Sequence, residues 1–267
     1  MHPSRRTLFA GLGLIGGSIG IALRRSGWHV TYIDPGVSLD DAVRAGAADE
    51  RSDSFDGTFD VTVLATPVDA AIAAIDRCRS LTTSVCSVLQ PLRAAADAHG
   101  LDFVAGHPLA GSHERGLSAA RADLFEGASW FVDREVAIVQ ELIDCCGAHA
   151  ELVTPAEHDR AVALTSHLPQ ILSTALAAHL HDQNIDPRFA GSGLRTFLRL
   201  AGSAASVWSP IIAANRENIA PHAEAVAALA RKMIEQGDEE PFAQANEWNA
   251  GVPPAGPAAS RRRLDND

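Results

Sequence analysis

Residues 7–34 read TLFAGLGLIGGSIGIALRRSGWHVTYID, and this stretch decides the fold of the first half of the chain. An apolar run at 7–10 leads into the pattern Gly11-x-Gly13-x-x-Gly16. An amphipathic segment then leads to a second apolar run at 29–33, which ends on Asp34. The order strand, glycine turn, helix, strand and acid predicts a βαβ unit that binds a dinucleotide.

Each glycine of the pattern has its own physical reason. Gly11 permits the tight turn, Gly13 lets the backbone approach a pyrophosphate, and Gly16 lets the helix pack closely on the strand. The helix that begins at Leu14 and Ile15 presents free N–H groups and the positive end of its dipole to the phosphates. We therefore expect these five residues to contact the cofactor.

Asp34 lies eighteen residues after Gly16, at the end of the second predicted strand. Its carboxylate can accept hydrogen bonds from both ribose hydroxyls, and it would repel a 2′-phosphate. The sequence therefore predicts NAD rather than NADP as the cofactor.

The N-terminus also allows a different interpretation, since Arg5 and Arg6 before an apolar run resemble a twin-arginine export signal. The run ends in Arg24-Arg25 without a small-x-small cleavage site, and the nucleotide site explains its glycines. We interpret Arg5 and Arg6 as the residues that lead into the first strand.

Composition favours a small-molecule partner. The chain has 267 residues, 46% of them hydrophobic, which is enough for one or two domains with a sizeable core. A formal net charge of −11 disfavours nucleic acid and anionic membranes as partners. The four cysteines lack metal-ligand spacing, so we expect no metal, reduced thiols and a cytoplasmic location. These cysteines are Cys78, Cys86, Cys145 and Cys146.

Residues 1–151 alternate apolar strand-like runs with helical ones, which predicts an α/β Rossmann-like domain with a parallel sheet. The predicted strands after Asp34 are 59–65, 83–88 and 103–105, with 129–132 closing the sheet. Ala65-Thr66-Pro67, Ser87 and His107 follow or end three of them. Because ligands bind beyond the carboxyl ends of parallel strands, we expect these residues on the side of the glycine turn.

The pattern becomes all-helical after Thr154-Pro155-Ala156-Glu157, a capping box with proline at the first helical position. Helical blocks are predicted from there to about His181, over 197–219 and over 222–236. We expect an all-α substrate and dimerisation domain over 152–248, which buries its Ala/Leu-rich faces in a homodimer. Residues 249–267 are rich in Pro, Ala and Arg and are predicted to be a disordered tail.

Two strand-end residues are candidates for catalysis. His107, between Gly106 and Pro108, could accept a proton from a hydroxyl while hydride leaves the same carbon. Ser87 could bond the same hydroxyl or orient His107. The alternative is a structural loop histidine and an ordinary strand-end serine.

The helical half offers further candidates. His158 and His167 are nine residues apart, so they face opposite sides of a regular helix. Pro169 breaks the helix next to His167, and we therefore expect His167 to face a cleft. We expect His158 to cap or pack. Arg195 and Arg199 could clamp carboxylates, or could simply be solvated.

These residues together resemble the prephenate/arogenate dehydrogenase family. The motifs that carry the resemblance follow the family's order over residues 7–220: Gly11-Leu12-Gly13-Leu14-Ile15-Gly16-Gly17-Ser18, Leu64-Ala65-Thr66-Pro67-Val68, Gly106-His107-Pro108-Leu109-Ala110-Gly111-Ser112, His158-Asp159, Ser166-His167-Leu168-Pro169, Arg199-Leu200-Ala201, and Trp208 with Asn215-Arg216-Glu217. The resemblance implies an NAD(P) domain followed by a dimerising helical domain.

The resemblance also implies the reaction and its residues. His107 would match the catalytic histidine, Ser87 the serine that bridges hydroxyl, histidine and nicotinamide, and Arg199 the arginine that holds a substrate carboxylate. His167, Gly111 and Ser112 would line the substrate pocket. The implied activity is oxidative decarboxylation of prephenate or of L-arogenate.

Some positions depart from the family pattern, among them Ser84, Leu89 and His113. Gln170 stands where the family often has a second histidine. A glutamine carbonyl can accept a hydrogen bond from an ammonium group, so we hypothesise a preference for L-arogenate. Two alternatives remain open: another two-domain NAD(P) oxidoreductase of the β-hydroxyacid dehydrogenase or imine reductase type, and a dinucleotide sensor without turnover.

Overall fold

The structure is a computed structural model, which describes residues 5–110 and 114–252. Its contacts divide the chain into two compact units, Met1–Ala220 and Pro221–Asp267. The first unit contains both sheets and the helices that begin the second half of the chain.

The main sheet of the first unit is parallel and has the strand order β3-β2-β1-β4-β5-β6 among the described residues. Its strands are β1 (Arg6–Ala10), β2 (His29–Ile33), β3 (Glu50–Arg51), β4 (Val61–Leu64), β5 (Thr82–Ser84) and β6 (Phe103–Val104). The strand order reverses between β1 and β4, which is where a doubly wound sheet binds its ligand. The predicted Rossmann-like fold is confirmed.

Helices connect these parallel strands, as crossovers between parallel strands require. They are α1 (Leu14–Arg25), α2 (Leu39–Arg44), α3 (Val68–Ala74) and α4 (Gln90–Ala98). Leu8, Phe9, Val63 and Leu64 of the two central strands are fully buried. Both faces of the sheet are therefore covered, and the open positions are at the strand ends.

A second, smaller sheet holds three further strands, β7 (Gly106–Pro108), β8 (Ser129–Val132) and β9 (His149–Leu152), with α5 (Ala137–Cys145) before β9. β7 runs antiparallel to β8, and His107 pairs with Phe131. The prediction that 129–132 closes the main sheet is wrong. The chain turns at Ala105, where Asp133 accepts the backbone N–H at 2.9 Å, and leaves the parallel sheet there.

The helical half begins with α6 (Pro155–Val162), and Thr154 and Glu157 form the predicted capping box. The predicted helix to about His181 is not uniform, because a π-helical turn at Ala163–His167 separates α6 from α7 (Leu168–Asp182). The block predicted over 197–219 is also divided. It contains the end of α8 (Ser192–Phe197), a 3-10 turn at Leu198–Gly202, α9 (Ala205–Ala214) and the start of α10 (Arg216–Gln236).

Within the described residues, the stretch Pro155–Asp182 is long and apolar enough to cross a membrane by length and composition alone. Core helices of soluble proteins pass the same test. This stretch carries His158, Asp159 and His167 in buried positions, which an isolated span in lipid would not tolerate without partners.

The second unit contains most of α10 and the helix α11 (Glu240–Ala250). Gly237, at a φ of 62°, ends α10, and Lys232 pairs with Asp238 at 2.8 Å across this turn. Of the predicted tail, 249 and 250 belong to α11, and residues 253–267 lie outside the described part of the chain.

Candidate active site

The glycine turn after β1 has the geometry expected of a phosphate-binding loop. Gly11 has a φ of 93°, and a Cβ there would lie 2.6 Å from the Ala65 carbonyl oxygen. A Cβ on Gly16 would lie 2.4 Å from the Gly11 carbonyl oxygen, so the helix could not pack as closely. A Cβ on Gly13, in contrast, would meet nothing within 4 Å, so this glycine borders open space.

The start of α1 is open to a ligand. Gly13 caps the helix without a side-chain hydrogen bond, and no acidic residue lies in the first turn that contains Leu14 and Ile15. The first N–H groups of the helix therefore remain available for phosphate oxygens. Thr66, which follows β4 next to the turn, has a buried hydroxyl without a hydrogen-bond partner. These features fit a dinucleotide.

Asp34 lies at the end of β2, directly beside the glycine turn. One of its carboxylate oxygens accepts the Leu12 N–H at 2.9 Å, and the other accepts the Gly36 N–H at 2.8 Å. Each oxygen keeps a further acceptor position, and the side chain is only half-buried. The carboxylate is thus held in place while it stays available to ribose hydroxyls.

His107 belongs to a buried hydrogen-bond network. Its Nδ1 lies 2.9 Å from Nε2 of His158, and Nδ1 of His158 lies 2.8 Å from Oδ1 of Asp159. The Asp159 carboxylate also accepts the backbone N–H groups of Leu89 and Gln90, at 2.8 and 2.9 Å. His158 and Asp159 are buried, whereas His107 is half-buried.

Asn215 connects Asp159 to His167 through its side-chain nitrogen. Its side-chain nitrogen donates to the Asp159 carbonyl at 2.8 Å and lies 3.0 Å from Nδ1 of His167. His167 is fully buried, its Nε2 has no hydrogen-bond partner, and Trp208 packs edge-on against its ring. We call His107, His158, Asp159, Asn215 and His167 the histidine network.

Burial keeps two histidines of the network neutral. Burial, with the neighbouring His158 and His167 rings, lowers the pKa of His107 from 6.5 to about 3. Burial also lowers the pKa of His167 to about 4, although the Asp159 charge and the Ser87 backbone carbonyl act in the opposite direction. A neutral imidazole can accept a proton at physiological pH, which a general base requires.

Of the other candidate residues, Ser87 borders the network, because its backbone carbonyl raises the pKa of His167. Ser87 is half-buried and lies three residues beyond the end of β5, so the predicted strand 83–88 is too long. Arg199 is exposed in the 3-10 turn after α8 and forms no ion pair with a described residue. Gly111 and Ser112 lie outside the described residues.

Gln170 lies in the first turn of α7 and is buried. Its Nε2 donates to the Leu200 carbonyl at 2.8 Å and to the Thr174 hydroxyl at 3.0 Å. Its Oε1 is buried and has no partner. Gln170 therefore contacts Leu200, which directly follows Arg199 in the chain. Among the described residues, neither Gln170 nor Arg199 forms a hydrogen bond with His107.

Comparison with known proteins identifies the family. The model of the prephenate dehydrogenase nucleotide-binding domain matches residues 19–152, and the model of the prephenate dehydrogenase dimerization domain matches residues 154–246. The chain belongs to the prephenate dehydrogenase family. It is therefore an oxidoreductase with a nucleotide-binding domain, although the first match begins after the glycine turn.

Two prephenate dehydrogenase relatives are similar over most of the chain. The enzyme of Bacillus subtilis (strain 168) is 32% identical, over 92% of this chain and 76% of that protein. The probable prephenate dehydrogenase NovF of Streptomyces niveus is also 32% identical, over 86% of this chain and 68% of that protein.

Solved structures agree on the fold. Prephenate dehydrogenase from A. aeolicus, crystallised with hydroxyphenyl propionate and NAD+, superimposes with a TM-score of 0.81 at 24% identity. The match covers 93% of this chain and 97% of that one. At this identity the likeness supports the fold of the family and nothing further.

The sequence interpretation missed three members of the network in this prephenate dehydrogenase homologue. His158 packs as predicted, edge-on against Phe131, but it also hydrogen-bonds His107, which was not predicted. Asp159 and Asn215 had no assigned role. The π-turn between His158 and His167 holds more residues per turn than an α-helix, which invalidates the angle counted for a regular helix. The available signal was the His-Asp pair directly after a capping box, on a helix with an apolar face.

No group of three or more His, Cys, Asp or Glu side chains in the described ranges could hold a metal ion. His107 bonds His158 and His158 bonds Asp159, while Asn215 bridges the Asp159 carbonyl and His167. The arrangement is suited to proton transfer.

Proposed function

We propose that the protein catalyses the NAD-dependent oxidative decarboxylation of prephenate to 4-hydroxyphenylpyruvate, or of L-arogenate to tyrosine. His107 carries the proposal, because it is a neutral, half-buried imidazole whose Nδ1 is occupied by His158, which leaves Nε2 for a substrate hydroxyl. The prephenate and cyclohexadienyl dehydrogenases among the relatives support this class of substrate.

The proposed reaction needs few protein groups. His107 Nε2 accepts the ring hydroxyl proton while hydride leaves the carbon that carries this hydroxyl. The bond to the ring carboxylate breaks, CO2 leaves, and the electron pair of this bond completes the aromatic ring. His107 then returns the proton to the phenolate oxygen, which gives the hydroxyphenyl product. NAD, when bound, supplies the acceptor for the hydride. Aromatisation provides much of the driving force, so the protein contributes mainly positioning.

We assign the proposed binding roles from the positions of the residues. NAD would be held by the glycine turn and the segment after β4, with Asp34 on the ribose: Gly11, Gly13, Leu14, Ile15, Gly16, Asp34, Ala65, Thr66 and Pro67. Ser87 would bond the reacting hydroxyl. Arg199, His167, Gln170, Gly111 and Ser112 would contact the substrate.

The decisive experiment measures NADH or NADPH formation with prephenate and with arogenate. We expect turnover with NAD and little with NADP. The His107→Asn variant should bind NAD as the native protein does and lose at least about 100-fold in kcat, the size of a general-base contribution. Native-like turnover by this variant would refute the assignment of His107.

The unpartnered Oε1 of Gln170 supports a preference for L-arogenate, since a buried acceptor without a donor is unfavourable and an ammonium group could satisfy it. We expect kcat/KM to be higher for arogenate than for prephenate, and Gln170→His to reduce that ratio. A native preference for prephenate would contradict this proposal and leave the reaction itself unaffected.

A homodimer would form through the helical half, and the family model for a dimerization domain supports this. Large apolar side chains of the first unit are exposed there, namely Leu164, Leu176, Phe189, Phe197 and Val207. Sedimentation should give twice the chain mass of 28.1 kDa; a monomer at micromolar concentration would contradict it. We further propose that the nucleotide-binding domain spans 1–151 and the helical substrate and dimerisation domain spans 152–248. We also propose that the protein is cytoplasmic and binds neither membranes nor nucleic acid.

A further inference from the structure

The hydrogen bonds of the histidine network determine which nitrogen of each ring carries the proton. A carboxylate can only accept hydrogen bonds, so the contact at 2.8 Å between Asp159 and His158 requires a proton on Nδ1 of His158. A neutral His158 then has a lone pair on Nε2. The contact at 2.9 Å to His107 therefore requires a proton on Nδ1 of His107, and Nε2 of His107 carries the lone pair.

The same reasoning gives the opposite result for His167. The Asp159 carbonyl can only accept, so the side-chain atom of Asn215 at 2.8 Å from it must be the amide nitrogen. This NH2 group also faces Nδ1 of His167 at 3.0 Å, which makes Nδ1 an acceptor. A neutral His167 then carries its proton on Nε2, a buried nitrogen that meets no acceptor of the described residues at hydrogen-bond geometry. The Ser87 backbone carbonyl lies close enough to the ring to raise the pKa of His167.

We propose that His158, Asp159 and Asn215 are positioning residues that hold His107 as a proton acceptor and His167 as a hydrogen-bond donor at Nε2. The proposal rests on the proposed function for the role of His107 in turnover. Asp159 connects the two proposed effects, since its carboxylate orients His158 and its backbone carbonyl orients Asn215.

The protonation states can be measured without turnover and without a variant. Long-range 1H–15N correlation of the native protein near neutral pH should show Nδ1–H for His107 and His158 and Nε2–H for His167. The opposite tautomer at His107 or at His167 would overturn the proposal, even if the protein is an active dehydrogenase. Conversely, an inactive protein with these tautomers would refute the proposed function alone.

Substitutions then test whether the tautomers matter for the reaction. Asp159→Asn removes the charge and one of the two acceptor oxygens, so the amide NH2 faces either His158 or the Gln90 N–H, and the preference of His158 and His107 for their tautomers is weakened. We expect kcat to fall about 10²- to 10⁴-fold, as when a tautomer-setting aspartate is lost in serine hydrolases, with KM and NAD affinity within about threefold of native. An unchanged kcat would overturn the proposal.

His158 offers a matched pair of substitutions. His158→Gln keeps an acceptor for His107 and a donor for Asp159, whereas His158→Phe keeps the volume and loses both. We expect the glutamine variant to be at least about tenfold more active than the phenylalanine variant at equal thermal stability. Equal activity of the two would overturn the role of His158.

The surface pair His181–Asp182 has the same sequence spacing and is exposed, with 3.6 Å between His181 Nδ1 and Asp182 Oδ1. Asp182→Asn is therefore the control, and it should leave kcat and both tautomers unchanged. If Asp159→Asn is too unstable to assay, the two His158 variants and the native tautomers decide the outcome.

Discussion

The Asp34 carboxylate accepts backbone hydrogen bonds from Leu12 and Gly36, so it stabilises the loop that it would also use to recognise the cofactor. Its charge has two consequences for ligands. It provides acceptors for ribose hydroxyls, and it repels a 2′-phosphate. The choice between NAD and NADP is thus expected to depend on one side chain.

Replacing Asp34 by Asn tests this at the residue scale. The variant loses one acceptor and the charge, so we expect NAD to bind about 10- to 100-fold more weakly, the cost of one hydrogen bond to a charged group. NADP should bind better than it does to the native protein. Fluorescence titration with both cofactors measures this, with Asp40→Asn on exposed α2 as the control. An unchanged preference for NAD would exclude Asp34 as the selective residue.

At the scale of elements, the turn between β1 and α1 contains one glycine that packing requires and one that packing does not require. Gly16 is required by packing, because a Cβ there would approach the Gly11 carbonyl to 2.4 Å. Packing does not require Gly13, because a Cβ there meets no atom of the described residues within 4 Å. We therefore expect the reason for glycine at position 13 to be the close approach of a ligand.

Alanine at each position should separate the two roles. Gly16→Ala is expected to destabilise the protein by about 1–3 kcal/mol, the usual cost of overpacking. Gly13→Ala should leave thermal stability within the range of surface substitutions, about 0.5 kcal/mol, and weaken NAD binding at least about tenfold. Calorimetry and cofactor titration test both variants. Equal melting temperatures, or native NAD affinity in Gly13→Ala, would contradict this account.

The π-turn at Ala163–His167 influences the directions of two histidines of the network. It changes the rotation between α6 and α7, and so His158 and His167 both join the network although a regular helix would direct them to opposite sides. Pro169 is the second residue of α7, and proline cannot donate a backbone hydrogen bond to the preceding turn. The break was predicted from Pro169, but its form was not, because the partners that favour a π-turn lie on other elements.

At the scale of the whole molecule, the buried histidines make stability depend on pH. The folded pKa values of His107 and His167, about 3 and about 4, lie below the value of 6.5 for an unperturbed histidine. Between these values the unfolded chain binds protons that the folded chain does not. The free energy of unfolding should therefore fall as the pH drops below 6.5, by up to about 1.4 kcal/mol per pH unit for each group.

Urea unfolding at pH 7.5 and at pH 5 measures this dependence. His167→Gln should reduce the loss of stability on acidification, and His179→Gln, on the exposed face of α7, should not. The same loss in the native protein and in the His167 variant would mean that His167 does not contribute to it.

Much of the fold follows from local sequence. The glycine turn, Asp34, the alternating strands and helices, and the capping box at Thr154 each depend on residues within a few turns of one another, and all appear in the structure. Strand 129–132 was placed in the wrong sheet because sheet membership depends on the direction of the chain after Ala105 and on pairing with Gly106–Pro108.

What the sequence by itself determined is a nucleotide-binding α/β half, an all-helical second half, and His107 as the candidate base. These follow from steric requirements and periodicities that neighbouring residues encode. Only the tertiary structure decided that His158, 51 residues away, is the partner of His107, and that Asp159 and Asn215 orient two rings. The physical reason is that a hydrogen-bond partner is selected by how distant elements pack, and burial then excludes the water that would otherwise satisfy those atoms.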